Sequence, residues 1–257
     1  MEEKILYNRF YNIIAETYKS YLIYGDRSDR KLKLLHEWLG KTIENNIPGE
    51  YQVYYMNGKE VQTDGRYYPK VVDIAIVKDN VDNIKIKKVG VKKVYYIPKI
   101  EMAISIKFVT SNFRQNANNY IENLIGECAN LKSNNVKFAH FVVFRDKTPY
   151  FKDGGKLKKW ECLTNDHILK YIKLHEDKYK NEFLHVPDAI GLEIVNINPT
   201  LEGIYKKKPK FKENLVNTYK INVDNGIENT NLSRDIKEYI KRNLNICRFI
   251  DTIANIL

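Results

Sequence analysis

Two apolar runs, VVDIAIV at 71–77 and IEMAISIKFV at 100–109, place the tightest constraint on how this 257-residue chain folds. Each has the length and composition of a central β-strand, and each carries a charge within it, Asp73 and Lys107. Successive side chains of a strand point to opposite faces. Asp73 therefore shares a face with Val71, Ala75 and Val77, and Lys107 shares one with Glu101, Ala103 and Ser105. The opposite face of the second run holds Met102, Ile104, Ile106 and Phe108. Burying an unpaired charge among such neighbours is costly. The simplest relief makes the two strands neighbours and brings Asp73 and Lys107 together, around a metal or as a buried ion pair. Strands with one wet face are the other reading of the same residues.

The flanking patterns supply the rest of a layered fold. Leu6, Phe10, Ile13, Ile14, Tyr18 and Leu22 recur at helical spacing. Gly25-Asp26 ends that helix, and Ser28 is placed to cap a second one carrying Leu32, Leu35, Leu39 and Ile43, which stops before Pro48-Gly49. Strand-like residues 51–56 precede a hairpin signal at Asn57-Gly58. Residues 84–97 read as a basic β-hairpin, 112–132 as a long helix and 138–144 as a further strand. A helix at 165–176 and a strand at 189–197 follow; 203–231 read as basic, then polar and irregular, and one amphipathic helix runs from Ser233. This order predicts a mixed α/β layer sandwich rather than a regular βαβ repeat. A single domain is expected over 1–257.

Composition narrows the setting. Lys and Arg number 43 against 32 Asp and Glu, a formal charge of +11, which favours polyanionic partners and nucleic acid first. A hydrophobic fraction of 43% excludes intrinsic disorder. No apolar run approaches the roughly 18 residues of a membrane span. The acidic start MEEKILYNRF lacks the pattern of a signal peptide, and Cys128, Cys162 and Cys247 form no disulfide framework, so a cytoplasmic location is expected. The five histidines show no metal-ligand spacing and read as structural or surface residues.

Pro69-x-x-x-Asp73, followed by Ser105-Ile106-Lys107 on the next apolar strand, resembles the PD-(D/E)xK nuclease superfamily. The order helix–strand–strand–strand–helix–strand over 28–144 is similar to that family's core. The resemblance implies a restriction-endonuclease-like α/β/α sandwich with a mixed sheet, a catalytic core at 28–144, and a C-terminal elaboration at 145–257 that serves DNA recognition or dimerisation. It implies a type II restriction enzyme that hydrolyses double-stranded DNA with Mg²⁺, acts as a homodimer in a prokaryotic cytoplasm, and has a cognate DNA methyltransferase. Two departures stand out. Pro69 is not adjacent to Asp73, and Ser105 occupies the place of the second carboxylate. A Ser-x-Lys subgroup of restriction enzymes draws that carboxylate from the following helix. Glu122, 15 residues after Lys107, matches the subgroup spacing, whereas Glu127 lies nearer the apolar face of the helix; the spacing argument selects Glu122. Glu101, six residues before Lys107, is a third option.

By the same resemblance, Glu37 on an early helix joins Asp73 and Glu122 as a metal ligand. Lys107 orients or deprotonates the attacking water. Arg114 and Gln115, at the start of the helix, read bases, Arg114 at guanine and Gln115 at adenine. The hairpin lysines Lys85, Lys87, Lys88, Lys92 and Lys93, with Lys206–Lys208, are expected to contact phosphate. Carboxylate ligands without a Cys/His cluster suit a hard cation.

Overall fold

A computed structural model describes residues 3–26, 28–55, 60–79, 84–89, 92–177 and 183–257. The chain begins with α1 (Glu3–Tyr24) and α2 (Lys33–Glu44). Then come β1 (Tyr51–Tyr55), β2 (Val61–Thr63), β3 (Lys70–Val72), β4 (Ile74–Lys78), β5 (Lys85–Val89), β6 (Lys92–Tyr96) and β7 (Met102–Val109). The helix α3 (Phe113–Lys132) leads to β8 (Lys137–Arg145), the hairpin of β9 (Lys147–Phe151) and β10 (Leu157–Cys162), and α4 (Asn165–Asp177). The remainder is β11 (Ala189–Asn198), α5 (Leu201–Tyr205), α6 (Glu213–Asn217), β12 (Asn222–Asn225), α7 (Arg234–Tyr239) and α8 (Ile246–Ile256).

The fold is mixed α/β. Its main sheet has six strands in the order β1-β4-β7-β8-β11-β12. The pairs β1/β4, β4/β7 and β11/β12 are antiparallel, and β7, β8 and β11 run parallel. The two charged runs are neighbours as expected, with Ile74 opposite Ile104 and Ile76 opposite Met102. Alternation then sorts their side chains. Ile74, Ile76, Met102, Ile104 and Ile106 pack in one core with α1, α2 and α8. Ala75, Val77, Ala103 and Val109 pack in a second core with α3, α4 and α7. Helices thus cover both faces of the sheet. Residues after 145 are built into this plan: β11 is an inner strand, β12 is an edge strand, and α4, α7 and α8 cover the faces.

The structure corrects five sequence expectations. VVDIAIV is not one strand. Val72 ends β3 in a separate four-stranded sheet (order β3-β2-β6-β5), and Ile74 begins β4 in the main sheet. Asp73 sits at the switch, where its carboxylate accepts the Ile106 N–H at 2.7 Å and so replaces a ladder bond. The predicted turn at Asn57-Gly58 lies outside the described residues; β1 pairs with β4 and β2 with β3 and β6, so these two strands form no hairpin. Ser28 caps a 3₁₀ turn, Asp29–Leu32, with its hydroxyl accepting the Arg30 N–H, and α2 begins only after it. The C-terminal helix breaks at Asn245, whose side chain caps α8 by accepting the Arg248 N–H at 2.9 Å. Residues 203–231 also hold α6 and the edge strand β12 rather than irregular chain alone.

At the carboxyl ends of the parallel strands, Arg145 is fully buried. Its Nη1 donates to the Thr110 carbonyl at 3.1 Å and to Glu202 at 2.8 Å, and the Tyr18 hydroxyl donates to the same carboxylate. This network ties the ends of β7 and β8 to α1 and α5, and it fixes the loop that leads into α3.

Candidate active site

Parity puts Asp73, Ser105 and Lys107 on the α3 side of the sheet, in register with Ala75, Ala103 and Val109. There they line one pocket of about 140 Å³ together with Lys70 and Glu127. Asp73 is held by the Ile106 N–H, which leaves its second carboxylate oxygen outside that bond. Glu127 is held by Lys70, Nζ to Oε1 2.6 Å. Lys107 is exposed, with its ammonium 5.9 Å from the centre of the Tyr120 ring.

Helix geometry explains which carboxylate arrives. At about 100° per residue, Glu127 lies roughly 60° from Leu124, which faces the core, whereas Glu122 lies about 160° away. Leu124 and Leu131 are buried, Glu127 is half-buried and Glu122 is exposed. The structure thus brings Glu127 to Asp73 and Lys107, and it leaves Glu122 on the solvent side of α3. The placement of these two carboxylates follows the amphipathic geometry of α3. Glu101 pairs with Lys137 at 2.8 Å and does not line the pocket. Glu37 pairs with Lys41 at 2.6 Å on α2, which packs in the core on the opposite face of the sheet, so it is not brought to Asp73. Lys70, which no sequence reading selected, completes the pocket; its only signal was proximity to Asp73 in the chain.

Lys107 also lines a second, larger cleft of about 580 Å³. It is lined by a flank of α3 bearing Tyr120 and by Asp26, Lys31 and Lys208. Asp26 accepts the Thr110 and Ser111 hydroxyls at 3.0 Å and pairs with Lys208 at 3.3 Å, which fixes the wall nearest the strand ends. A third hollow, lined by Gln115, Lys152 and Gly155, shares Asn112 and Lys208 with this cleft, so a polar track with several lysines leads away from Asp73. Gln115 therefore borders the track. Arg114 does not: it lies on the opposite flank of α3, where its N–H donates to Glu161. The basic hairpin forms as expected from β5 and β6 in the second sheet. Lys87 and Lys88 are exposed there, and Lys87 rests 3.0 Å from the centre of the Tyr96 ring.

Behind Ser105 sits His140, its register partner on β8. It is buried, its Nδ1 has no hydrogen-bond partner among the described residues, and its ring lies parallel to Tyr171 at 6.2 Å. Burial, and then the nearby Lys107 charge, lower its pKa from the ordinary 6.5 to about 3, so the ring is neutral at pH 7.

The pocket's donors are the carboxylates of Asp73 and Glu127 and the Ser105 hydroxyl, an all-oxygen set. Among the described residues no group of three or more His, Cys, Asp or Glu side chains gathers to hold a metal. Mg²⁺ is commonly held by one or two carboxylates and keeps several waters, so two carboxylates fit that ion and do not fit zinc. Among the described residues no helix is long and apolar enough to cross a membrane. The sequence matches no protein-family model and no curated protein.

Proposed function

We propose that the protein is a Mg²⁺-dependent endonuclease that hydrolyses phosphodiester bonds in double-stranded DNA. The observation that carries this reading is the convergence of Asp73, Glu127, Ser105 and Lys107 on one pocket that adjoins a lysine-bearing cleft. Asp73 and Glu127 would hold the ion, with Ser105 as a neutral neighbour. When bound, Mg²⁺ neutralises phosphate charge and acidifies a water. The chain's own residues do the rest. The Lys107 ammonium, standing between pocket and cleft, orients the attacking water and stabilises the charge that develops on the phosphate oxygens. Lys31 and Lys208 hold the backbone in register across the cleft. Lys70 fixes the Glu127 carboxylate, so that little reorganisation is needed when substrate arrives.

The resemblance in Pro69-x-x-x-Asp73 and Ser105-x-Lys107 refines the proposal to a type II restriction enzyme. Such an enzyme acts as a homodimer in a prokaryotic cytoplasm beside a cognate DNA methyltransferase, and two-fold symmetry places one site on each strand of a palindrome. The test is digestion of phage DNA by the purified protein. Discrete fragments with Mg²⁺, none with EDTA, and none from Lys107→Ala despite retained DNA binding are expected. Binding without cleavage under any divalent cation would instead make this a non-catalytic DNA-binding protein.

A further inference from the structure

Four asparagines, Asn112, Asn116, Asn119 and Asn123, stand at spacings of four, three and four. This spacing follows one flank of a helix, and all four line the cleft beside Lys107. Glu127 continues the row one turn further, so the same flank runs from the cleft into the pocket. The first two are committed to the fold. The Asn112 side chain accepts the Phe151 N–H at 2.9 Å, and Asn116 donates to the Asn112 carbonyl at 3.0 Å. Asn119 and Asn123 differ. Both are exposed, and neither side chain makes a hydrogen bond to another described residue. By contrast Asn118, on the other side of α3, accepts from Lys170 at 2.6 Å.

Asparagine is among the poorer helix formers, because its amide competes for backbone hydrogen bonds. A merely solvated flank would be better served by Lys, Glu or Gln. Here the neutral amides line a cleft that also holds Lys31, Lys107 and Lys208. Lysines are the residues that suit phosphate, so the amides are suited to contacts that charge does not make. A carboxamide offers one donor and one acceptor side by side, the complement of adenine N7 and N6–H₂. Four residues of helix advance about 6 Å along the axis, close to two steps of about 3.4 Å per base in one strand.

We infer that Asn119 and Asn123 are specificity-determining residues that read adenine in DNA lying along the cleft, so that the substrate carries A·T pairs where α3 faces it. This rests on the nuclease reading for its substrate, but its test does not depend on cleavage.

The experiment is equilibrium binding by fluorescence anisotropy, in EDTA, of labelled A·T and G·C duplexes of equal length. The intact protein should prefer the A·T duplex by roughly tenfold or more. The double variant Asn119→Ala, Asn123→Ala should lose that preference through weaker A·T binding alone, with G·C binding and the circular dichroism spectrum unchanged. Asn123→Gln, which keeps the amide on a longer stem, should retain part of it. A preference that survives the double alanine change, or no preference in the intact protein, would overturn the inference. Mg²⁺-dependent cutting with no A·T preference would overturn base reading and leave the nuclease. A·T-selective binding lost in the double variant, without cutting by any divalent cation, would support base reading and overturn the nuclease. Failure to bind either duplex would overturn both.

Discussion

Lowering the pH from 7 to 4.5 should cost the folded protein close to 3 kcal/mol through His140 alone. Its folded pKa is about 3 because burial, and then Lys107, disfavour the imidazolium; the unfolded value is the ordinary 6.5. Below pH 6.5 the unfolded chain takes up a proton that the folded protein does not. The stability is therefore complete above pH 6.5 and is lost as the pH falls toward 3. Two units below 6.5 is two factors of ten, about 2.7 kcal/mol at about 1.36 kcal/mol each. The perturbation is His140→Leu, which removes both the titrating ring and its unpartnered Nδ1. Urea unfolding of both proteins at pH 7, 5.5 and 4.5 reads the difference. The gap between them should move in favour of the variant by about 3 kcal/mol between pH 7 and pH 4.5. An unchanged gap across that range, or an NMR titration that finds the His140 ring protonating near 6.5 in the folded protein, would refute the reasoning.

Glu193 should act in the opposite direction. It accepts the Tyr7 hydroxyl at 3.0 Å and the Ile246 N–H at 2.8 Å in the core, and burial raises its pKa to about 7. Stability from the neutral acid is complete below about 4.5, the unfolded value, and is lost as the pH rises through 7. Glu193→Gln keeps an acceptor without the charge and should gain roughly 3 kcal/mol at pH 8 relative to its effect at pH 4; a variant equally shifted at both pH values in urea melts would exclude this. In cleavage assays, Glu127→Gln should reduce Mg²⁺-dependent cutting by orders of magnitude while Glu122→Gln cuts normally, and the reverse result would restore the spacing argument. Ser105→Glu combined with Glu127→Gln should recover part of the activity, because both positions line the same pocket; no recovery would separate their roles. Lys152→Ala with Lys208→Ala should flatten the salt dependence of DNA binding by up to about 0.9 in log–log slope per lysine, and an unchanged slope would remove the track from the DNA path.

The positions of most strands and helices, and the face each side chain takes, were legible in the sequence because they depend on short-range rules. Period-two alternation set Ala75, Ala103, Ser105 and Lys107 on one face, and the apolar stripe of α1 marked its buried side. The same helical rule already distinguished Glu127 from Glu122, and it held because α3 packs with the stripe inward. What the sequence did not contain was the set of contacts made between distant segments. The chain changes sheets at Asp73 because its carboxylate finds the Ile106 N–H, 33 residues on, and no local pattern encodes that partner. Lys70 joins Glu127 across 57 residues, and Arg145 is buried against Glu202 across 57 more. Glu37 was placed at the site by analogy, yet α2 packs on the other face of the sheet. The character of His140 was hidden for the same reason. Its low pKa follows from burial and from Lys107 on the adjacent strand, and it exists only once the parallel pair of β7 and β8 has formed. The Asn spacing is present in the sequence, but only the tertiary structure gathers that row and Lys31, Lys107 and Lys208 around one cleft.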